Sequence, residues 1–312
     1  MSRLMLLDTP TLYFRAYFAL PESIAAPDGR PVNAVRGTLD FISHLVTHHR
    51  PDRLVACFDA AWRPAFRVAL LPSYKTHRVA QEAPAGSGGT AVEEVPDTLS
   101  PQVEMLLEVL AAFGIADGWA EGHEADDAIA AYAARHRAED GGPVDVVTGD
   151  RDMFQLVDDG AGVRVFNIAR GVAKLEVLED AQLTEKYGVT GSQYADFATL
   201  RGDPSDGLPG VAGVGEKTAA TLLAEYGSLT GLLAAAADPA SALKPAVRKK
   251  LEAAADYLAV APEVVRVRAE APTTPVDSAL PTTPRHPDEL EKLAEQYGLT
   301  NPVKRLAKAL AG

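Results

Sequence analysis

Nine carboxylates stand in five short clusters along this chain, and most of the clusters close a hydrophobic run of strand length. Asp8 ends Arg3-Leu-Met-Leu-Leu-Asp8, and Asp59 ends Leu54-Val-Ala-Cys-Phe-Asp59. Asp150 and Asp152 follow Val144-Asp-Val-Val-Thr-Gly149, while Glu124, Asp126 and Asp127 open a helical pattern. Asp203 and Asp206 lie in Gly202-Asp-Pro-Ser-Asp-Gly-Leu-Pro-Gly210. A parallel α/β sheet collects its strand carboxyl ends on one edge, where sites form. Acids converging there repel one another strongly unless hard divalent cations neutralise them. The pattern points to a metal site for phosphate chemistry.

The 312 residues, 47% of them hydrophobic, suffice for a sizeable core and for two domains. No apolar run approaches the roughly 20 residues that span a bilayer. The N-terminus reaches Asp8 too early for a signal-peptide apolar region. The single Cys57 excludes an internal disulfide and a thiolate zinc set. A cytoplasmic protein with no membrane partner is expected. The net charge of −13 argues at face value against nucleic acid. The charge is segregated, however. Arg63, Arg67, Lys75 and Arg78 fall between Ala60 and Gln81, where no acid occurs, and Lys244, Arg248, Lys249 and Lys250 form a second basic cluster. Segregation of this kind permits a DNA-facing surface on an acidic protein.

The fold class read from periodicity is α/β, a mostly parallel sheet with flanking helices followed by a mainly helical region. Strands are predicted over 3–8, 53–59, 144–148 and 163–167. Helices are predicted over 11–20, 34–49, 98–113 and 124–138, then over 178–187, 191–200, 216–226 and 245–258. Between Val79 and Pro96 the pattern breaks into a Gly-, Pro- and acid-rich stretch that reads as a mobile excursion. Pro272-Thr-Thr-Pro275 recurs as Pro281-Thr-Thr-Pro284 and reads as a semi-rigid spacer before a basic-ended helical tail over 287–310.

Phosphodiester hydrolysis is the demanding reaction such an acid set can support. It requires accelerations on the order of 10¹⁷ or more, whereas one general base contributes about 10²–10⁴. Two divalent ions roughly 4 Å apart activate water and stabilise both the attacking and the leaving oxygen. Oxygen-only ligands suit Mg²⁺ or Mn²⁺ better than zinc. Each acid also has a plainer reading, as a helix cap, a turn former or a partner for a helix dipole. Glu124 and Asp127 share a helix face at i and i+3 and Asp126 does not, so one of the three needs a pre-helical or supporting place. The run Gly210-Val-Ala-Gly-Val-Gly215-Glu-Lys217-Thr218 permits a tight turn whose amides and Lys217 approach a phosphate. Plain helix capping is its alternative. Tyr74-Lys75-Thr-His-Arg78 puts cations where they can hold a scissile phosphate, and Arg15, on an apolar helix near Asp8, can pair with a carboxylate or a phosphate. His44, His48 and His49 share one helix without an acid partner and read as surface.

Taken in order, Leu7-Asp8, Arg15-Ala-Tyr17, Phe58-Asp59, Tyr74 to Arg78, Glu124-Ala-Asp126-Asp127, Thr148-Gly-Asp150-Arg-Asp152 and Gly202-Asp203-Pro-Ser-Asp206 resemble the 5′-nuclease (flap endonuclease-like) family. Within it the similarity is to the 5′-3′ exonuclease domain at the N-terminus of bacterial DNA polymerase I. Leu208 to Thr218 extends the match. The resemblance implies a PIN-like nuclease core over 1–188 with an arch at about 72–100. A helix–three-turn–helix duplex-binding region over 189–268 and a linker and tail over 269–312 would follow. It implies two Mg²⁺ or Mn²⁺ ions held by Asp8, Asp59, Glu124, Asp126, Asp150 and Asp152, with Asp127, Asp203 and Asp206 as ligands or supports. Lys75, Arg78 and Arg15 would act on the scissile phosphate. Tyr74, Arg67, Gly213, Gly215, Lys217 and Thr218 would bind DNA, with a K⁺ ion on the backbone carbonyls of the glycine hairpin. The implied substrate is DNA with a 5′ flap, nick or end, an RNA primer being compatible, and the implied state is a monomer acting alone or reaching partners in trans. Two departures stand out. Gly207 replaces the family's usual Asn and is expected to loosen the local hairpin, and the arch carries Glu82, Glu93, Glu94 and Asp97. A DNA-structure binder without catalysis remains open here. A PIN-type ribonuclease is disfavoured by the hairpin.

Overall fold

The computed structural model describes residues 1–81 and 92–312. The middle of the expected excursion, with Glu82, lies outside the described residues. The chain runs β1 (Leu4–Asp8), α1 (Thr9–Ala19), α2 (Asn33–His49), β2 (Arg53–Cys57) and α3 (Ala65–Leu70). The short strands β3 (Val79–Gln81) and β4 (Val92–Glu93) pair antiparallel. Then come α4 (Ser100–Phe113), β5 (Ala116–Gly118), α5 (Ala125–Glu139), β6 (Val144–Thr148), β7 (Val163–Asn167) and β8 (Glu176–Leu178). The helical half comprises α6 (Asp180–Tyr187), α7 (Gly191–Arg201), α8 (Glu216–Tyr226), α9 (Leu229–Ala237), α10 (Pro245–Ala253) and α11 (Ala255–Val265). Two further helices, α12 (Pro287–Gln296) and α13 (Thr300–Ala311), end the chain.

The main sheet has the order β5-β2-β1-β6-β7-β8, parallel except for the last strand. The chain leaves β1 first to one side and later returns to the other, so the crevice between β1 and β6 is a topological switch point. Both central strands are buried on both faces, as parallel strands covered by helices must be. Alternate residues of β1 serve two cores. Leu4 and Leu6 pack with α5 and the helical half, while Met5 and Leu7 pack with α2, α4 and the terminal helices.

The register aligns the acids. Asp8 pairs with Cys57, two residues before Asp59. Leu7 pairs with Val147, which brings Thr148 level with Asp8 and leaves Asp150 just beyond it. Cys57 also pairs with Gly118, after which the chain enters the segment leading to Glu124.

Two expectations change. The Pro/Thr segment is no spacer. Leu54 N donates to Ser278 O at 2.8 Å, Leu280 N to Asp52 O at 3.0 Å, and Tyr132 Oη to Thr274 O at 2.9 Å. Behind it Leu290, Tyr297, Leu306 and Leu310 are buried in the same core as α2 and α4. Proline-rich composition reports a stiff extended backbone, and an extended backbone can equally lie along a sheet edge. The predicted helix over 245–258 breaks at Ala254 into α10 and α11, because α10 docks on α9 and α11 on α7 and α3. Among the described residues no single helix is long and apolar enough to cross a membrane.

Candidate active site

Asp8 is the last residue of β1 and the N-cap of α1. Its carboxylate accepts from Thr11 N at 3.1 Å, from Thr11 Oγ1 at 2.5 Å and from Thr148 Oγ1 at 2.5 Å. The helix-cap reading holds for Asp8, and it does not keep the same side chain from the sheet edge where the other acids gather. Asp59, just past β2, accepts from Ala125 N at 2.7 Å and so holds the first turn of α5 against the sheet edge. Asp150 accepts from Asp152 N at 2.9 Å, and its own amide donates to Thr148 Oγ1 at 2.9 Å.

Asp8, Asp59, Glu124, Asp126 and Asp150 open into one cleft of about 600 Å³, with Lys75, Arg78, Arg15 and the acidic Glu93 on its walls. Asp152, Asp203 and Asp206 do not line that cleft but lie close enough to Asp150 to act on it and on one another electrostatically. Burial, then the charges of Asp150, Asp8 and Glu124, pushes the Asp126 carboxyl well above its ordinary value. Burial, then Asp150, Asp206 and Asp203, does the same to Asp152. Burial also raises Asp8, against the bonds from Thr11 and Thr148. Among the described residues no three acids close round one point as a ready-made cage. The donor set nonetheless fits hard divalent cations. It is all oxygen, it is mutually repulsive, and Asp152 Oδ1 is buried with no hydrogen-bond partner.

Glu124 and Asp127 belong to a different construction. They form a capping box at the start of α5. Arg67, buried at 2% exposure, donates from Nη1 to Asp127 Oδ2 at 2.6 Å and from Nη2 to Asp127 Oδ1 at 2.7 Å. Arg67 Nη1 also reaches Glu124 Oε2 at 2.7 Å, and its Nε reaches Val264 O at 2.9 Å. Arg268 N adds a 2.9 Å bond to Asp127. Asp127 is thus sealed behind the cleft with both oxygens taken, and of the two places expected for it, ligand or support, the geometry favours support. Arg67 and Tyr74 are corrected as well. Both are buried, and Tyr74 Oη donates to Glu124 Oε2 at 2.8 Å, so neither offers a surface to DNA. Sequence reasoning took basic and aromatic residues beside a loop as outward-facing, whereas a buried carboxylate pair draws a cation inward.

Lys75 contacts Glu124 Oε1, and that charge keeps its ammonium protonated despite burial, which alone would lower it. Its backbone is left-handed, φ 48°, and its N–H donates to Asp206 O at 3.1 Å. The turn at Asp206 thereby aims Lys75 into the cleft. Gly207 makes this possible. It is left-handed at φ 75°, and a Cβ there would meet Ser73 O at 2.1 Å. The expectation that Gly207 loosens the hairpin is reversed, because the missing side chain lets the two segments close tightly. Arg78 Nη2 lies 3.3 Å from Ser205 O and 3.5 Å from Asp206 Oδ1. Asp203 caps the same turn, accepting from Ser205 N at 2.9 Å and from Arg201 Nη2 at 3.1 Å. Arg15 is anchored by Ala169 O at 3.1 Å through Nη2, and its Nε has no partner.

Gly213, Gly215, Lys217 and Thr218 lie apart from the cleft, at the turn into α8, where Gly213 is left-handed and a Cβ on Gly215 would meet nothing within 4 Å. Sequence reasoning missed the cleft's aromatic mouth. Phe14, Phe18 and Trp62 line it, and Phe18 is 73% exposed with its ring stacked on Phe14 at 6.4 Å between centroids. The i, i+4 spacing of the two phenylalanines on α1 was the available signal.

Family models of the 5′-3′ exonuclease N-terminal resolvase-like domain and of the 5′-3′ exonuclease C-terminal SAM fold match residues 3–188 and 189–288. The chain belongs to the 5′-3′ exonuclease family. A 5′-3′ exonuclease of Streptomyces coelicolor is 59% identical over 98% of this chain and 99% of that protein. One of Mycobacterium tuberculosis is 50% identical over 99% and 98%. DNA polymerase I of Mycobacterium bovis matches at 44% over 74% of this chain, but over 24% of its own length. Solved structures share the fold, two of them as follows. A bacteriophage T5 flap endonuclease in complex with DNA and metal ions has a TM-score of 0.62 at 18% identity, covering 99% of this chain and 98% of that one. The catalytic core of Rad2 with a DNA substrate has a TM-score of 0.56 at 17% identity, covering 99% and 91%. As a member of this exonuclease family the chain is a nuclease, and the α/β domain with its helical partner is the family's architecture.

Proposed function

We propose that this nuclease hydrolyses phosphodiesters of DNA bearing a 5′ flap, nick or end, with two Mg²⁺ or Mn²⁺ ions at the acid cleft, as a monomer. The observation that carries the reading is the cleft, in which six carboxylates, Glu93 among them, share one opening with Lys75, Arg78 and Arg15. Asp8, Asp59, Asp126 and Asp150 on the cleft, with Asp152 behind and Glu124 shared with Lys75, are the residues that would hold the ions. Bound there, divalent cations supply an activated water and neutralise charge on the leaving oxygen. Lys75, kept charged by Glu124, and Arg78 would hold the scissile phosphate and steady its developing charge. Arg15, pinned by Ala169, would orient a non-bridging oxygen. Phe14 and Phe18 offer faces on which a base at the cleft mouth can stack. Farther off, Gly213, Gly215, Lys217 and Thr218 would grip the duplex backbone through open amides and an exposed ammonium. The T5 and Rad2 structures, both solved with DNA, support this class of substrate. Backbone and metal contacts ignore much of the sugar, so an RNA primer is an acceptable strand.

A labelled 5′-flap duplex incubated with Mg²⁺ or with EDTA tests the reading. Short products are expected only with metal. Asp150→Asn should cut about 10²–10³-fold more slowly while retaining a gel shift. A shift without cleavage by the unaltered protein would leave a DNA binder, and undiminished cutting by Asp150→Asn would remove the cleft from the chemistry.

A further inference from the structure

The turn into α8 holds a contact the cleft does not use. Lys250, on α10, donates from Nζ to Gly213 O at 2.7 Å. A Cβ on Gly213 would come within 2.9 Å of that nitrogen, so the lysine tip lies directly over the turn, where the left-handed φ of 72° favours glycine. The rest of the basic cluster divides its work. Arg248 donates to Asp238 O and to Ser241 Oγ, both at 2.9 Å, and closes the end of α9. Lys244 and Lys249 are exposed. Lys250 has no other hydrogen-bond partner among the described residues, which leaves two of its three donors uncommitted.

The family resemblance implies K⁺ on the carbonyls of this hairpin. The residues present do not suit it at Gly213, whose carbonyl already holds an ammonium that carries the charge K⁺ would bring. We infer that Lys250 is the built-in cation of the hairpin. It cancels the negative end of the Gly213 carbonyl and turns its spare N–H groups to a DNA phosphate, so duplex binding is indifferent to which monovalent ion is in solution. The inference rests on the DNA reading above.

Anisotropy of a labelled flap duplex, with EDTA to prevent cutting, is measured in LiCl, NaCl and KCl at matched concentration. The unaltered protein should bind within about twofold in all three, because counterion release depends on charge and not on ion identity. Lys250→Met should bind about five- to tenfold more weakly in LiCl, with part of the loss recovered in KCl as K⁺ takes the vacated carbonyl. Lys249→Met, a charge loss without the hairpin contact, should show no recovery in KCl. Binding by the unaltered protein more than about threefold tighter in KCl than in LiCl overturns the inference. So does a Lys250→Met loss that is absent or equal in every salt. No binding by the unaltered protein in any salt would take down the DNA reading and this inference with it, whereas a K⁺ preference takes down this inference alone.

Discussion

Asp126 and Asp127 are neighbours on one helix and live in opposite worlds. Asp126 opens into the cleft among like charges, and its carboxyl is pushed well above the ordinary range by burial and by Asp150, Asp8 and Glu124. Asp127, one residue on, is fully buried with both oxygens in the fork of Arg67. The open region crowds carboxylates together with Lys75, Arg78 and Arg15 only along its walls, and burial and repulsion there disfavour the ionised form of Asp126. The sealed region holds compensated charge that braces the wall from which the open one works. Two acids adjacent in sequence need not share a site, because Arg67 claims Asp127 and leaves Asp126 to the cleft.

The largest expected effect lies on the sealed side. Arg67→Ala leaves the buried Asp127 without its cation, while Glu124 keeps Lys75 and Tyr74, and should cost about 3–5 kcal/mol in urea unfolding. Arg67→Lys should recover little, because an ammonium cannot reproduce the two-pronged geometry. A loss below about 1 kcal/mol would mean that Asp127 is not held as described.

The open side should respond in reverse. Asp126→Asn should slow metal-dependent cleavage about 10²–10³-fold and yet raise the ion-free melting temperature by about 2–4 °C. Lower ion-free stability in that variant would erase the contrast between the two carboxylates.

Phe18→Ala sharpens the comparison from the cleft mouth. The ring is 73% exposed, so stability should change by less than about 0.5 kcal/mol. Flap affinity should fall about tenfold if the ring stacks a base. Unchanged affinity would confine the mouth to a passive role.

The smallest effect is one of pH. The raised Asp126 and Asp152 carboxyls bind protons in the fold that the unfolded chain has already released. Stability from that uptake is complete below the ordinary value of 3.8 and is lost as pH rises through the raised values. The melting-temperature advantage of Asp126→Asn in EDTA should therefore be greatest at alkaline pH and shrink on acidification, and the gain on adding Mg²⁺ should grow with pH. Melting curves whose difference stays constant from about pH 5 to pH 8 would break this link.

Much of the sheet is legible because strand signals are local. The runs leading to Asp8 and, past Arg53, to Cys57 are continuously apolar, those leading to Thr148 and Asn167 are broken only by Asp145 and Arg164, and all four are strands. The three-residue strands β5 and β8 are too short to carry a period, and α9, nearly all Leu and Ala, has no polar face to mark it. In the site, helical spacing already sets Asp126 apart from Glu124 and Asp127. It cannot supply the reason, because Arg67 stands 60 positions from Asp127. Gly207 shows the same limit. Its freedom is visible in the residue type, but its use depends on Ser73, which approaches from 134 positions away.

By itself, then, the chain's order of residues determines where acids stand on strands and helix starts, since pleat, period and capping act over a few neighbouring positions. Which acids remain uncompensated, which cations turn inward to neutralise the others, and which glycine lets two segments touch are decided only by the folded structure. Charge and close packing act through space, between side chains whose separation along the chain sets no limit on how near they come.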